Sequence, residues 1–201
     1  MSALLILSGP SGCGKSTLSA EILAKIPNAY FSISTTTRAK RESEQDGVHY
    51  HFVSEEEFLT HIKEGKFLEY AQVHNNYYGT SLLPITQALE QGRLVVFDVD
   101  VQGHTSIKKH FGNAVKSVFI TTKNAEILKS RLQMRNTDDE ATIKLRLAQA
   151  QSEMQHIGEF DFVIINDDIN EAREAIVCIA KSLFYANSDK NSSLAKNWHY
   201  I

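Results

Sequence analysis

The chain opens on an unbroken apolar run, Ala3-Leu4-Leu5-Ile6-Leu7, and the same texture returns at Leu94-Val95-Val96-Phe97, Val118-Phe119-Ile120 and Phe162-Val163-Ile164-Ile165. A strand with one wet face alternates apolar and polar residues, whereas a strand covered on both faces need not. The four runs therefore predict buried strands of a parallel sheet. Between them the period becomes helical. Leu18, Ile22 and Ile26 recur every four residues from Lys15 until Pro27 closes the segment. Further helices are predicted from about Ala125 to Met134, from Asp138 to His156 (Ile143, Leu147, Ala150, Met154) and from Ala172 to Tyr185. Strands alternating with helices specify an α/β fold.

Residues 31–83 break that rhythm. Phe31 to Thr36 reads as β, Arg38 to Gly47 as a polar loop, and Val48 to Val53 as a half-exposed strand. Ser54 with Glu57 three residues on is a helix start, and that helix is expected to end near Gly65. Phe67 to Val73 is another strand candidate, and Asn75-Asn76-Tyr77-Tyr78-Gly79 reads as a turn. A mixed block inside an α/β rhythm is expected to be an inserted, substrate-holding subdomain. Past Asn187 the chain is polar and aperiodic, so a mobile tail is expected, with Trp198 and Tyr200 as tethers. No internal repeat or low-complexity tract is present.

Composition narrows the classes. The 201 residues allow one domain with a full core, and 42% hydrophobic with 22% charged residues is ordinary for a globular protein. A net charge of −3 argues against a surface that grips nucleic acid through its phosphates. Cys13 and Cys178 stand far apart with no CxxC neighbour, which suggests neither a zinc site nor a disulfide framework. The opening apolar run lacks a basic n-region and a long h-region, and no run approaches the ~18 residues of a membrane span. A cytoplasmic protein is expected.

The strongest motif is Gly9-Pro10-Ser11-Gly12-Cys13-Gly14-Lys15-Ser16, with Thr17 following. It fits GxxxxGK[ST] between a buried strand and a helix, the context that a P-loop requires. Glycines let successive N–H groups turn inward on phosphate oxygens, and the helix start adds its positive dipole end. Lys15 supplies a cation for the β- and γ-phosphates, and the Ser16 hydroxyl can reach Mg²⁺. This predicts ATP binding but leaves hydrolase, switch and kinase open.

Two further groups stand out by position. Asp98 and Asp100 close a buried strand and project to one side at its carboxyl end, where open α/β sheets place ligands. Arg131 and Arg135 are four apart on one predicted helix, and Arg146 lies on the next.

A longer pattern unites these pieces. The P-loop opening, SISTTTRAKRESEQDGVHYHFVS, GKFLEYAQVHNNYYGT, VVFDVDVQG, LKSRLQMR, IKLRLAQAQSE and VIINDD occur in an order and spacing that resemble the guanylate kinases from Leu4 to about Leu183. The resemblance implies a P-loop NTPase core, a three-layer parallel sheet with helices on both faces, at 2–33, 84–124 and 158–184. It also implies a mixed α/β GMP-binding subdomain at 34–83 and a helical lid at 125–157, with a tail at 185–201. The implied reaction is ATP + GMP to ADP + GDP, with dGMP as a further acceptor and Mg²⁺ as cofactor, a step in guanine nucleotide metabolism. Oligomeric state is left open.

Residue by residue, the resemblance places Arg38, Arg41, Glu44, Tyr50 and Tyr78 around the GMP phosphate; the arginines offer forked donors to it. Glu69 matches the carboxylate that accepts from guanine N1–H and its amino group. Ser34 and Thr80, beside Gly79, match hydroxyls that address O6 and N7. Asp100 is implied to hold the GMP nucleoside, and Asp98 to lie by the phosphates and reach the metal through water. Lys15, Arg38, Arg131, Arg135 and Arg146 are the implied catalytic cations, and Asn166-Asp167 with Arg135 would flank the adenine of ATP. Lys40-Arg41-Glu42-Ser43 replaces a frequent proline-glycine loop, and Asn136 stands where a glycine is usual after Arg135.

Two other classes were weighed. A non-catalytic guanylate-kinase-like module that binds a peptide would be expected to lose the cations this chain keeps. A related kinase for a sugar phosphate would leave Glu69, Ser34 and Thr80 without a partner.

Overall fold

In the computed structural model, the described residues are 2–42, 44–73, 75–134 and 139–186. In chain order the elements are β1 (Ala3–Ser8), α1 (Lys15–Lys25), β2 (Ala29–Ser32), β3 (Thr35–Thr36), β4 (His51–Phe52), α2 (Glu55–Lys63), β5 (Phe67–Val73) and β6 (Asn76–Ser81). Then come α3 (Leu82–Glu90), β7 (Leu94–Asp98), α4 (Val101–Phe111), β8 (Val115–Thr121), α5 (Ala125–Met134), α6 (Glu140–Glu153), β9 (Phe162–Ile165) and α7 (Ile169–Ser182).

Five strands form a wholly parallel sheet in the order β2-β7-β1-β8-β9. Alternation along the central strand explains the layers, because successive side chains point to opposite faces. Leu5 and Leu7 pack with Val96, Val118 and Ile120 against Leu18 and Ile22 of α1 and Ile176 of α7. Leu4 and Ile6 pack with Val95 and Phe97 against Ile85 of α3 and Ile107 of α4. Both faces of β1, β7 and β8 are covered, which is why those strands read as unbroken apolar runs. Strand β9 corrects the expectation of a fourth buried strand, because it lies at the sheet edge with Phe162, Val163 and Ile165 exposed and only Ile164 buried. Register sets the position of the site. Leu7 pairs with Asp98 and with Val118, so the loop after β1, the end of β7 and the end of β8 lie along one edge.

A second, four-stranded sheet is ordered β4-β3-β6-β5 and is mixed: β3 and β4 run parallel, while β6 is antiparallel to both neighbours. It holds the inserted block. The expected fold class is observed, with local corrections. Phe31 to Thr36 is not one strand: β2 ends at Ser32 in the core sheet and β3 begins at Thr35 in the second, so the chain changes sheets across Ile33-Ser34. Of Val48 to Val53 only His51–Phe52 is strand, because Gly47, at φ 71°, turns the chain and donates its N–H to Tyr50 O at 2.9 Å.

The expected turn at Asn75–Gly79 is mostly strand. Asn75 alone carries the left-handed φ of 65°, and pairing resumes with Val73 opposite Asn76. Gly79 is a packing residue: a Cβ there would sit 3.0 Å from the rings of Phe58 and Phe67. Helices α3 and α4 are additions to the sequence reading. Helix α6 stops at Glu153 and runs into a 3₁₀ segment, Met154–Glu159, instead of reaching His156 as α-helix. Helix α7 begins at Ile169, where the Asp168 carboxylate accepts from the N–H groups of Asn170 and Glu171, and it ends at Ser182 before a 3₁₀ turn, Leu183–Tyr185. Asp138, at the expected start of α6, and the tail from Asn187 lie outside the described residues.

Phe58 is the anchor of the second sheet. It is fully buried and stacks on Phe67 and Tyr77 at centroid distances of 4.4 and 5.4 Å. Phe58→Ala is expected to cost about 3–5 kcal/mol in denaturant unfolding. Under native conditions it should weaken binding that depends on the second sheet while leaving ATP binding near that of the parent, which calorimetry with each nucleotide would read.

Candidate active site

Backbone geometry builds the first half of the site. Gly9, Gly12 and Gly14 have φ of 134°, 94° and 102°, values that L side chains rarely adopt. Space forbids side chains as well. A Cβ on Gly9 would lie 2.0 Å from Ile120 O, and one on Gly14 would lie 2.3 Å from Asn166 Nδ2. Gly14 caps α1 from a left-handed conformation and brings no side-chain cap, so the helix start faces the cleft with its N–H groups. Lys15 Nζ donates to Gly9 O at 2.5 Å and to Pro10 O at 3.3 Å, folded back on the loop. Cys13 is fully buried, and burial pushes its thiol above the ordinary value.

The loop is tied down from behind. Asn166, buried after β9, donates from Nδ2 to Cys13 O at 2.8 Å, and its own N–H reaches Thr121 O at 2.7 Å. Arg131 Nη2 of α5 donates to Asn166 O at 2.6 Å. The Asn166 side chain thus clamps the P-loop instead of facing open space, while Asp167 is exposed and accepts from Lys123 N at 3.3 Å. Across the mouth, Arg146 Nη1 of α6 donates to Ser11 Oγ at 2.9 Å. Helices α5 and α6 pack on each other through Leu128, Leu132, Ile143 and Ala150, so both arginines ride on one unit. Arg135 lies outside the described residues.

Two clefts share a wall. The first, of about 350 Å³, is lined by the P-loop with Lys15 and Ser16, and by Tyr50, Asp98, Val99, Asp100 and Glu153. The second, of about 260 Å³, is lined by Ser34, Tyr50, Glu69, Tyr78, Gly79, Asp98, Val99 and Asp100, among others. Tyr50, Asp98, Val99 and Asp100 therefore stand between them. A larger cavity of about 610 Å³ between α5, α6 and the end of β8 has a mostly apolar lining. Its size does not make it the phosphate site, because the glycine cradle and the carboxylates converge on the smaller clefts.

Electrostatics in the second cleft follow from burial and partners. Glu69 on β5 accepts a short hydrogen bond from the Thr80 hydroxyl on β6, its neighbour in register. Burial raises the Glu69 pKa and the Thr80 contact opposes that shift. Burial likewise raises Asp98, with the Lys15 charge opposing. Asp100 accepts from Gly103 N at 2.8 Å and so caps α4. Tyr50 and Tyr78 meet edge to face at 6.0 Å, and the Arg38 guanidinium lies 5.5 Å from the Tyr50 ring and 5.7 Å from that of Phe52.

Arg38 Nη2 and Glu44 Oε1 are 2.6 Å apart, and the other Glu44 oxygen accepts from Arg41 N at 2.9 Å. The Arg38 guanidinium holds the Glu44 carboxyl down at about 2. The Arg41 side chain is exposed on the loop and lines neither cleft.

Glu153, at the end of α6, was not singled out from the sequence. Its signal was available: it follows Arg146 by seven residues, two helical turns, and so shares its face. Among the described residues no group of three or more His, Cys, Asp or Glu is placed to hold a metal alone. The hard oxygen donors of Ser16, Asp98 and Glu153 around the cradle suit Mg²⁺ that arrives with phosphate ligands of its own.

A glycine cradle at the carboxyl edge of a parallel sheet, joined wall to wall with an acid-and-hydroxyl cleft under a basic helical cover, defines a P-loop kinase of the nucleoside-monophosphate type. Comparison with known proteins agrees. The family model described as "Guanylate kinase" matches residues 1–182. The guanylate kinase of Helicobacter hepaticus is 62% identical over 196 residues, covering 98% of each chain. That of Helicobacter pylori (strain ATCC 700392 / 26695) is 55% identical over 196 residues, covering 97% of this chain and 95% of its own. The crystal structure of guanylate kinase from Anaplasma phagocytophilum superposes with a TM-score of 0.73 at 30% identity, over 90% of this chain and 85% of that one. The chain belongs to the guanylate kinase family.

Because the folded Glu44 pKa lies below its ordinary value, the Arg38–Glu44 pair stabilises the fold fully above about pH 4.5, and that contribution is lost as pH falls toward 2. Carboxyl NMR titration of the free protein should give Glu44 an apparent pKa near 2. Arg38→Met should move it upward toward the ordinary range. An unchanged titration would remove the guanidinium as the cause.

Proposed function

We propose that the protein transfers the γ-phosphoryl group of ATP to GMP, giving ADP and GDP, and accepts dGMP as well. The observation that carries this reading is the shared wall: the cleft with Ser34 and Glu69 opens beside the cleft with Lys15 and Ser16. Two phosphate groups seated there would meet at Tyr50, Asp98 and Asp100.

The P-loop N–H groups and Lys15 hold the ATP phosphates. Lys15 exchanges the carbonyls of Gly9 and Pro10 for phosphate oxygens, which are stronger acceptors. Arg38, Tyr50 and Tyr78 receive the GMP phosphate, with Glu44 keeping Arg38 in place and Arg41 turning in from its exposed position on the loop. Glu69 accepts from guanine N1–H and the amino group, and Ser34 and Thr80 address O6 and N7. Asp100 holds the nucleoside. Adenine in this cleft would deny the Glu69 carboxylate both guanine donors and leave Thr80 as its remaining partner, which is costly in a half-buried site.

An oxygen of the GMP phosphate, already anionic at neutral pH, attacks the γ-phosphorus. The bond to the β,γ-bridging oxygen breaks, and its electron pair leaves on ADP. No proton has to be removed by a strong base, so positioning and neutralisation of charge do the catalytic work. Ser16 and Asp98 would hold the Mg²⁺ that comes with ATP, which would supply neutralisation of phosphate charge there. Arg131, Arg135 and Arg146 close over the transferred group, and exposed Asp167 flanks the adenine while Asn166 braces the P-loop beside it. Residues 125–157 then act as a lid, 34–83 as the acceptor subdomain, and the remaining segments as the core. Exclusion of water by the lid keeps ATP hydrolysis slow without an acceptor.

A coupled ADP-release assay with ATP and Mg²⁺ against GMP, AMP, CMP and UMP tests the reading. GMP should be strongly preferred; an AMP rate equal to that with GMP would overturn it. Lys15→Ala should reduce kcat by at least ~10³-fold. Glu69→Ala should lower kcat/KM for GMP on the order of 10³-fold and leave KM for ATP near that of the parent.

A further inference from the structure

Glu153 sits where a carboxylate has no obvious business. It lines the P-loop cleft together with Lys15, Ser16, Asp98 and Asp100. A cleft that must take the phosphates of a nucleotide gains nothing from one more negative charge unless a cation stands between. Its Oε2 is buried and finds no hydrogen-bond partner among the described residues. Leaving a buried charged acceptor unmatched is costly, so such an atom points to a partner that comes with the substrate.

The location on α6 adds the second strand of the argument. Glu153 and Arg146 are seven residues apart on one helix and therefore on one face, and Arg146 is already seated on Ser11 Oγ at the P-loop mouth. The helix thus presents a cation to the rim of the phosphate cleft and an anion to its interior. A divalent cation that keeps part of its water shell is the ligand chemistry that this carboxylate can serve without displacing phosphate.

We infer that Glu153 is a positioning residue for the divalent cation that accompanies ATP, accepting hydrogen bonds from water bound to that cation. This rests on the proposed ATP-dependent reaction and goes beyond it in one respect: cation binding and the seating of α6 become a single equilibrium. A change in one must shift the other by the same factor.

The test uses Mn²⁺ as a spectroscopic stand-in for Mg²⁺, with the full-length protein, a non-hydrolysable ATP analogue and GMP. Electron paramagnetic resonance of free Mn²⁺ gives the cation affinity of the ternary complex for the parent, Glu153→Gln and Glu153→Asp. Calorimetry gives the affinity for the ATP analogue in EDTA. The expected result is a roughly tenfold or greater loss of Mn²⁺ affinity in Glu153→Gln, with metal-free analogue affinity unchanged or tighter. Glu153→Asp, which keeps the charge, should recover most of the Mn²⁺ affinity. Parent-like Mn²⁺ binding by Glu153→Gln would overturn the inference, as would an equal loss with and without metal, or a Glu153→Gln protein that does not fold, since each assigns the carboxylate to packing. If the parent itself bound no Mn²⁺ with the analogue, the ATP–metal reading beneath it would fall instead.

Discussion

The structure depends on how closely the loop after β1 passes its neighbours. Gly9 runs against the backbone of Ile120, and Gly14 runs against the amide of Asn166; in both places even one methyl group would collide. These contacts fix the distance between β1, β8 and the segment after β9, and so they fix where α1 starts. Everything that faces phosphate inherits that placement. The N–H groups at the start of α1, the reach of Lys15 and the hydroxyl of Ser16 are set by backbone packing before any side chain chooses a rotamer. The amide of Asn166 is satisfied in part by Cys13 O and lies under Arg131, so the cradle is braced on one side by the core sheet and on the other by the helical cover.

A second constraint comes from charge. Asp98 is half-buried at the end of β7, and Asp100 two residues on is used to cap α4. The same pair forms the wall between the two clefts, so one short segment ends a strand, starts a helix and separates two binding spaces. Gly103 is part of this economy of space, because a Cβ there would meet Val99 Cβ at 2.8 Å. The turn from β7 into α4 can be tight only because that position carries no side chain, and tightness is what keeps Asp98 and Asp100 at the sheet edge.

Much of this was legible in the sequence, for reasons that differ from place to place. The opening strand, the P-loop and α1 could be read because an apolar run, a glycine signature and a four-residue period adjoin without interruption. Helix α2 could be read because Ser54 and Glu57 mark its start, and the Ser54 hydroxyl does accept from Glu57 N. Helices α3 and α4 were not legible: Ser81 offers α3 no side-chain cap, Pro84 lies in its first turn, and Asp100 and Gly103 look like a ligand and a loop glycine. Strand β6 was mistaken for a turn because Asn and Gly are turn residues by local preference, whereas Gly79 answers to the rings of Phe58 and Phe67 from other elements. The site residues emerged through a resemblance in order and spacing; the role of Asn166 as a brace and the depth of Glu153 are tertiary facts that local pattern does not carry.

The cations of the site are held by partners of their own within the chain. Lys15 rests on two backbone carbonyls, Arg38 on Glu44, Arg131 on Asn166 O and Arg146 on Ser11. A nucleotide therefore exchanges one set of hydrogen bonds for another and does not meet bare charge. That moderates affinity, since the net gain is the difference between a phosphate oxygen and a carbonyl or hydroxyl. It also gives direction to the exchange. A phosphate that draws Lys15 away from Gly9 and Pro10 leaves those carbonyls to other donors, and one that draws Arg146 from Ser11 brings α6 with it.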